Sequence, residues 1–220
     1  MRTRTALTAG AAAVLIALGS VVTVAAAGGE EPPPAPPGPG AGPARHRGRS
    51  RAGAGFARDM AVHHQQAVEM SFLVRDSTDG EEIRTLAYDI ANTQANQRGM
   101  MLGWLDLWGL PKVSEEPPMA WMGMRHKPGK DGALMPGMAT RAELDRLRKT
   151  EGEAAEILYL RLMTAHHKGG IHMAEGCVSA CEVPAEKRLA QGMLDAQQSE
   201  IDLMAELLRK RGVRDQGVRD

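Results

Sequence analysis

The stretch DMAVHHQQAVEM, Asp59 to Met70, is echoed by LMTAHHKGGIHM, Leu162 to Met173. Each holds Met-x-x-His-His and a further Met six residues beyond the second His. Laid together, Met60 pairs with Met163, His63 with His166, His64 with His167 and Met70 with Met173. The shift of 103 residues persists without a gap, through Leu86 and Leu189, Gln94 and Gln197, Met101 and Met204, to Gly109 and Gly212. A register held over about fifty residues marks a duplicated unit.

Around the first copy, Phe56, Met60, His63, Ala67, Met70 and Val74 recur every three or four residues, the seam of one helix facing one partner surface. A second helix is expected over about Glu81 to Trp108, with Leu86, Ile90, Gln94, Gln97, Met101, Trp104 and Trp108 inward; Gly109 and Pro111 end it. The third helix repeats the first seam as Tyr159, Met163, His166, Gly170, Met173 and Cys177. The fourth starts near Pro184, buries Leu189, Met193, Gln197, Glu200, Met204 and Leu207, and closes at Gly212. Two such hairpins bury their stripes best against each other. The expected fold is all-α, an antiparallel, ferritin-like four-helix bundle of two duplicated hairpins. Its long Met-rich connection runs from Leu110 to Ala139, and Thr140-x-x-Glu143 then opens a short helix with a capping box. Gly152 separates that helix from the third long one.

Residues 1–27 read as an export signal: Arg2 and Arg4 precede an apolar run that ends in small residues. An uncleaved N-terminal anchor is the rival reading of this segment. Either way the rest of the chain lies outside the cytoplasm, extracellular or in the cell envelope. Residues 28–52 are a Pro/Gly-rich spacer too polar to form a core, 53–212 the bundle, and 213–220 a tail. With 27 basic and 27 acidic residues the net charge is zero, so no global basic field exists to attract nucleic acid.

The seam carries His63 and His166 inside the bundle, with His64 and His167 at its flank. Buried imidazoles need partners. A backbone carbonyl, Gln97 or Glu200 would satisfy one. Four at equivalent sites, with Met60, Met70, Met163 and Met173 one turn away, favour a metal ion. Thioether with imidazole is a soft donor set and suits copper, above all the reduced ion. Zinc would recruit Cys and carboxylate, and a ferritin-like iron site would need Glu-x-x-His, which does not occur. Glu200 is read as the one buried acid, and Gln97 replaces it in the other repeat. The connection adds Met119, Met122, Met124, His126, Met135 and Met138. Two readings stand for these: a soft-metal capture segment, or the apolar underside of a loop laid over the bundle. Cys177 and Cys181, one turn apart, form a disulfide if the helix end frays, or else a free thiol pair. No nucleophile constellation or phosphate-binding loop is present.

Met60-x-x-His63-His64, MPGM with Glu143-Leu144, LMTAHHKGGIHMAE and Gln197-x-x-Glu200-Ile201-x-x-Met204 resemble the bacterial exported family known as domain of unknown function 305. The resemblance covers Phe56 to Gly212. It implies a ferritin-like four-helix bundle, exported or membrane-tethered, with copper binding and copper tolerance in some relatives. Gly169-Gly170, Cys177 and Cys181 depart from the family pattern.

The leading expectation is therefore an exported, non-enzymatic protein that holds copper for buffering or delivery. The alternatives are a structural or interaction bundle of the envelope that binds a protein partner and buries its His as polar contacts, and a metal-dependent oxidoreductase.

Overall fold

The structure, a computed structural model, describes residues 50–124, 129 and 131–213. The export segment, residues 28–49 of the spacer, His126 and the last seven residues lie outside them. The described residues form five α-helices and one turn of 3-10 helix, with no strand among them. They are α1 (Arg51–Ser77), α2 (Glu81–Trp108), the 3-10 turn (Ala120–Met122), α3 (Arg141–Arg148), α4 (Gly152–Ala180) and α5 (Pro184–Lys210). The repeat is visible in these bounds: Thr78–Gly80 joins α1 to α2, and Cys181–Val183, at the equivalent positions, joins α4 to α5.

Local chemistry sets the ends. Ser50 accepts a hydrogen bond from Gly53 N–H at 3.0 Å, so α1 begins at Arg51, two residues inside the Pro/Gly-rich segment. Gly109 takes φ 65° at the end of α2, and Leu110 N–H closes back on the Leu105 carbonyl at 2.8 Å. Thr140 and Glu143 form the expected capping box on α3.

Helix α1 packs on α2, α4 on α5, and the two hairpins meet through α1 and α4. Every residue of the two sequence seams is buried: Phe56, Met60, His63, Ala67, Met70 and Val74 on α1, and Tyr159, Met163, His166, Gly170, Met173 and Cys177 on α4. On α2 and α5 the sequence reading is offset. Trp104, Trp108, Leu189 and Glu200 are only half-buried, whereas Ile83, Leu105, Ala190 and Glu186 are fully buried. Trp104 and Trp108 stack on each other, ring centroids 6.2 Å apart, and pack partly buried against the core.

The apolar core is split in two. One cluster gathers Phe56, Met60, Met101, Leu105, Met173, Cys177 and Met193, and the other Met70, Val74, Ile83, Ile90, Tyr159, Met163 and Met204. Each fully buried side chain of this size contributes about 1.5–3 kcal/mol by leaving water. Between the clusters lies a polar layer, described below.

Two buried acids, neither Glu200, tie the ends together. Glu156 accepts from Thr78 at 2.5 Å and from Arg211 Nε at 2.6 Å, joining the first turn to the end of α5. Glu186, in the first turn of α5, rests its carboxyl over Gly53 where a Cβ would collide with it. Neither oxygen has a hydrogen-bond partner of good geometry, although the Val183 backbone faces the group and lowers its pKa slightly. Burial dominates and pushes the carboxyl up to about 7.

A raised acid pKa in the folded state makes stability fall as pH rises from the unfolded value near 4.5 towards 7. Glu186→Gln should flatten that fall, by up to about 1.4 kcal/mol per pH unit, in urea melts from pH 4.5 to 8.

Candidate metal centre

Four imidazoles share the layer between the apolar clusters. His63, His64 and His167 are 0% exposed and His166 is 1% exposed, so the two expected at the flank are as deeply buried as the central pair. The rings of His63 and His166 lie against each other, centroids 3.7 Å apart and tilted by 33°. The centroid of His167 is 6.3 Å from that of His166.

Two of their hydrogen bonds follow the repeat and a third does not. His64 Nε2 lies 2.8 Å from Gln97 Oε1, and His167 Nε2 lies 2.6 Å from Glu200 Oε2, the equivalent residue. His166 Nε2 lies 3.0 Å from the His63 carbonyl. All three partners are oxygens that accept, so each Nε2 carries a proton, and on His64 and His166, which burial keeps neutral, Nδ1 keeps its lone pair. For His64 and His167 that Nδ1 is buried without a partner, and on His63 neither ring nitrogen has one. The Pro136 carbonyl approaches His63 closely enough to raise its basicity a little, but not in hydrogen-bonding geometry.

Burial chiefly holds His63, His64 and His166 neutral. His63 is lowered to about 3 and His64 to about 4, and His166 lies well below the usual histidine value. Repulsion between the imidazoles adds to the effect.

Gln94 and Gln197 complete the layer. Both are buried, and both amide atoms of Gln94 and the oxygen of Gln197 lack a partner. Gly170 makes room for Gln197: a Cβ there would lie 2.5 Å from its Oε1. Gly169 serves another contact, since its Cβ would collide with the Pro136 carbonyl. The MPGM loop thus lies directly on the α4 backbone beside His166, with Gly137 at φ 80°. On the α1 side Gln66, the repeat partner of Gly169, clamps the same loop: it donates to the Ala139 carbonyl at 2.9 Å and accepts from Ala139 N–H at 2.7 Å.

The methionines divide by depth. Met60 and Met173 share one apolar cluster, and Met70 and Met163 the other, so the seam sulfurs stand in pairs on opposite sides of the imidazole layer. Of the connection, Met119 and Met135 are buried with Trp121 in the first cluster, Met122 and Met138 pack against it, and Met124 remains 37% exposed. Asp59 fixes this loop by accepting from Met119 N–H at 2.8 Å and Trp121 Nε1 at 2.9 Å. Cys177 and Cys181 form a disulfide with Cα atoms 4.8 Å apart. Cys181 sits just past α4 with ψ 146°, where the chain has left the helix.

The sequence reading missed Asp59, Gln66 and Glu186, and placed Gln94 and Gln197 on the inner faces without seeing that they enter the layer. The adjacent Gln66 and Gly169, unlike residues at one repeat position, were the available signal for the loop contact.

Among the described residues no three His, Cys, Asp or Glu side chains converge as a metal-binding group. Even so, the donor set fits a soft ion that accepts few ligands. The layer offers neutral nitrogens with free lone pairs, three of the rings are oriented through the opposite nitrogen, and thioethers flank the layer.

Comparison with known proteins places the chain. The sequence profile of the family described as Domain of unknown function (DUF305) matches residues 53–208. The chain belongs to this family. A candidate secreted DUF305 protein from Streptomyces coelicolor is 62% identical, with 77% of this chain and 99% of that one covered and a TM-score of 0.70. A DUF305 fragment from Deinococcus radiodurans is 30% identical over 73% of this chain and 96% of that one, with a TM-score of 0.59. CopM in its Cu(I)-bound form shares the fold at 20% identity and a TM-score of 0.55, with 73% and 96% of the two chains covered. No functionally curated protein matches. No helix among the described residues is long and apolar enough to cross a membrane.

The depressed histidine pKa values couple folding to pH. Below about pH 6.5 the unfolded chain takes up protons that the buried rings refuse, so the stability these rings contribute is full above that pH and is lost as pH falls towards 4 and 3, opposite in sign to the Glu186 contribution. The slope of stability against pH from 6.5 to 4.5 should reach about 1.4 kcal/mol per unit for each such ring. His64→Gln should reduce it by one proton's worth in chemical melts.

Proposed function

We propose that this DUF305 protein is an exported, non-enzymatic copper-binding protein that holds the reduced ion for buffering or delivery. The observation that carries the reading is the set of buried imidazole nitrogens left without partners in one layer, beside thioethers. His63, His64, His166 and His167 would hold the ion, with Met60, Met163, Met70 and Met173 as candidate thioether ligands. Copper supplies a soft, closed-shell cation in its reduced state, and these residues exclude water and present neutral donors. CopM, which is described in Cu(I)-, Cu(II)- and Ag-bound forms, is too distant to carry its ligands to this chain by likeness alone. The donors of this chain make the argument.

In this reading the four long helices form the antiparallel, ferritin-like bundle expected from the repeat. Residues 1–27 direct export, with cleavage or retention as an anchor, and 28–52 tether the bundle of 53–212. Copper is the partner that the donor set requires. An envelope protein could take the ion onward.

One observation favours a second reading. The Gln97, Glu200 and His63 carbonyl bonds satisfy one nitrogen on each of three rings, as a purely structural polar layer would. Thermal melts separate the two. The metal-free chain is melted alone and with anaerobic cuprous, zinc or ferrous ion, because a ligand of the folded state alone raises the midpoint. Cuprous ion should raise Tm most, and His63→Ala with His166→Ala should abolish the rise. An equal rise in the double variant, or none in the wild type, would favour the structural layer.

A further inference from the structure

A second group of soft donors lies outside the layer, where the connection crosses the outer face of α4. His172 Nε2 and Met124 Sδ are 3.3 Å apart. One turn along α4, Met122 is folded over Gly176, its sulfur 3.0 Å from the place a Cβ would occupy. Residues four apart on a helix have Cβ positions about 5–6 Å apart, so both thioethers sit over the strip that carries His172. His172 and Met124 are exposed and Met122 is half-buried, so an ion reaches this group directly from solvent.

Three features set it apart from casual packing. An exposed thioether beside an exposed imidazole gains little by burial; the two meet in hydrogen-bonding geometry, which brings both soft donors to one point at the surface. The residues also break the internal repeat: His172 and Gly176 stand where the first copy has Glu69 and Leu73. A Leu at 176 would occupy the space of Met122. Finally, the loop is held in place. Asp59 fixes Met119 and Trp121, Met119 takes φ 68°, and Gly123 turns the chain at φ 73° to bring Met124 back over α4.

The geometry points to a surface soft-cation site formed by Met122, Met124 and His172, binding a monovalent d10 ion, cuprous or silver, through two thioethers and one imidazole. Metal bonds of about 2.0 Å to nitrogen and 2.3 Å to sulfur, the lengths zinc shows, span the His172–Met124 separation at an angle of roughly 100°. The neutral sulfurs discriminate against magnesium and calcium, which take oxygen donors, and against zinc, whose sites add anionic thiolate or carboxylate to imidazole. The site does not depend on the copper reading of the buried layer, only on the same preference of thioethers for soft ions.

Calorimetric titration of the metal-free full chain with silver nitrate tests it, comparing wild type, Met122→Leu/Met124→Leu/His172→Ala, and His63→Ala/His166→Ala. The surface triple variant should lose one equivalent of silver that the core variant retains, with unchanged helical circular dichroism. His172→Gln and Met124→Leu alone should each weaken that equivalent at least tenfold. A triple variant that titrates like wild type would overturn the surface site, whatever the core variant does. Loss of the equivalent in the triple variant alone, with the core variant unchanged, would uphold the surface site and remove support for the buried one.

Discussion

The structure turns on the burial of four imidazoles in one plane of a helical bundle. Polar rings in an apolar interior are costly unless their nitrogens are engaged. This chain engages three of their eight: Gln97, Glu200 and the His63 carbonyl take one nitrogen each from three rings, while both nitrogens of His63 and the Nδ1 atoms of His64 and His167 are buried without a partner. The bare set includes both nitrogens of His63, stacked 3.7 Å from His166 at the contact of the two hairpins. Neighbouring structure encloses that plane. Apolar clusters close it from either side, and the MPGM loop lies across it, clamped by Gln66 and seated on the bare backbone of Gly169.

Duplication accounts for the near-symmetry of the plane, and its breaks account for the differences. Gln97 and Glu200 do the same work on equivalent rings, one neutral and one able to carry charge. Gln66 and Gly169 touch the same loop from opposite helices, one with an amide and the other by offering no side chain at all. Ala67 and Gly170 differ for a like reason, since Gln197 leans onto Gly170. An asymmetric connection laid over a symmetric bundle forces these departures.

Much of this was legible in the sequence. The 103-residue register located the helix pairs, and both His-bearing seams are buried as their periodicity required. The flanking helices were read less well because apolar residues cover a wide arc of α2 and α5, and bulky Trp104 and Trp108 look more central than Leu105. Acid burial was misjudged for a related reason. Helical phase put Glu200 inward, but its carboxylate reaches the edge with 22% of the side chain exposed, while Glu186 and Glu156 are enclosed by helix ends that periodicity does not describe. The Met122–Gly176 and Gly169–Pro136 contacts join a loop to a helix. No spacing rule reports such contacts.

Anomalous diffraction at the copper edge, from crystals of the chain soaked anaerobically with cuprous ion, tests the central claim most directly. The account predicts a peak inside the bundle within bonding distance of a ring nitrogen of His63. A fully loaded crystal with anomalous signal only at the protein surface would contradict it and leave the imidazole layer as a structural element.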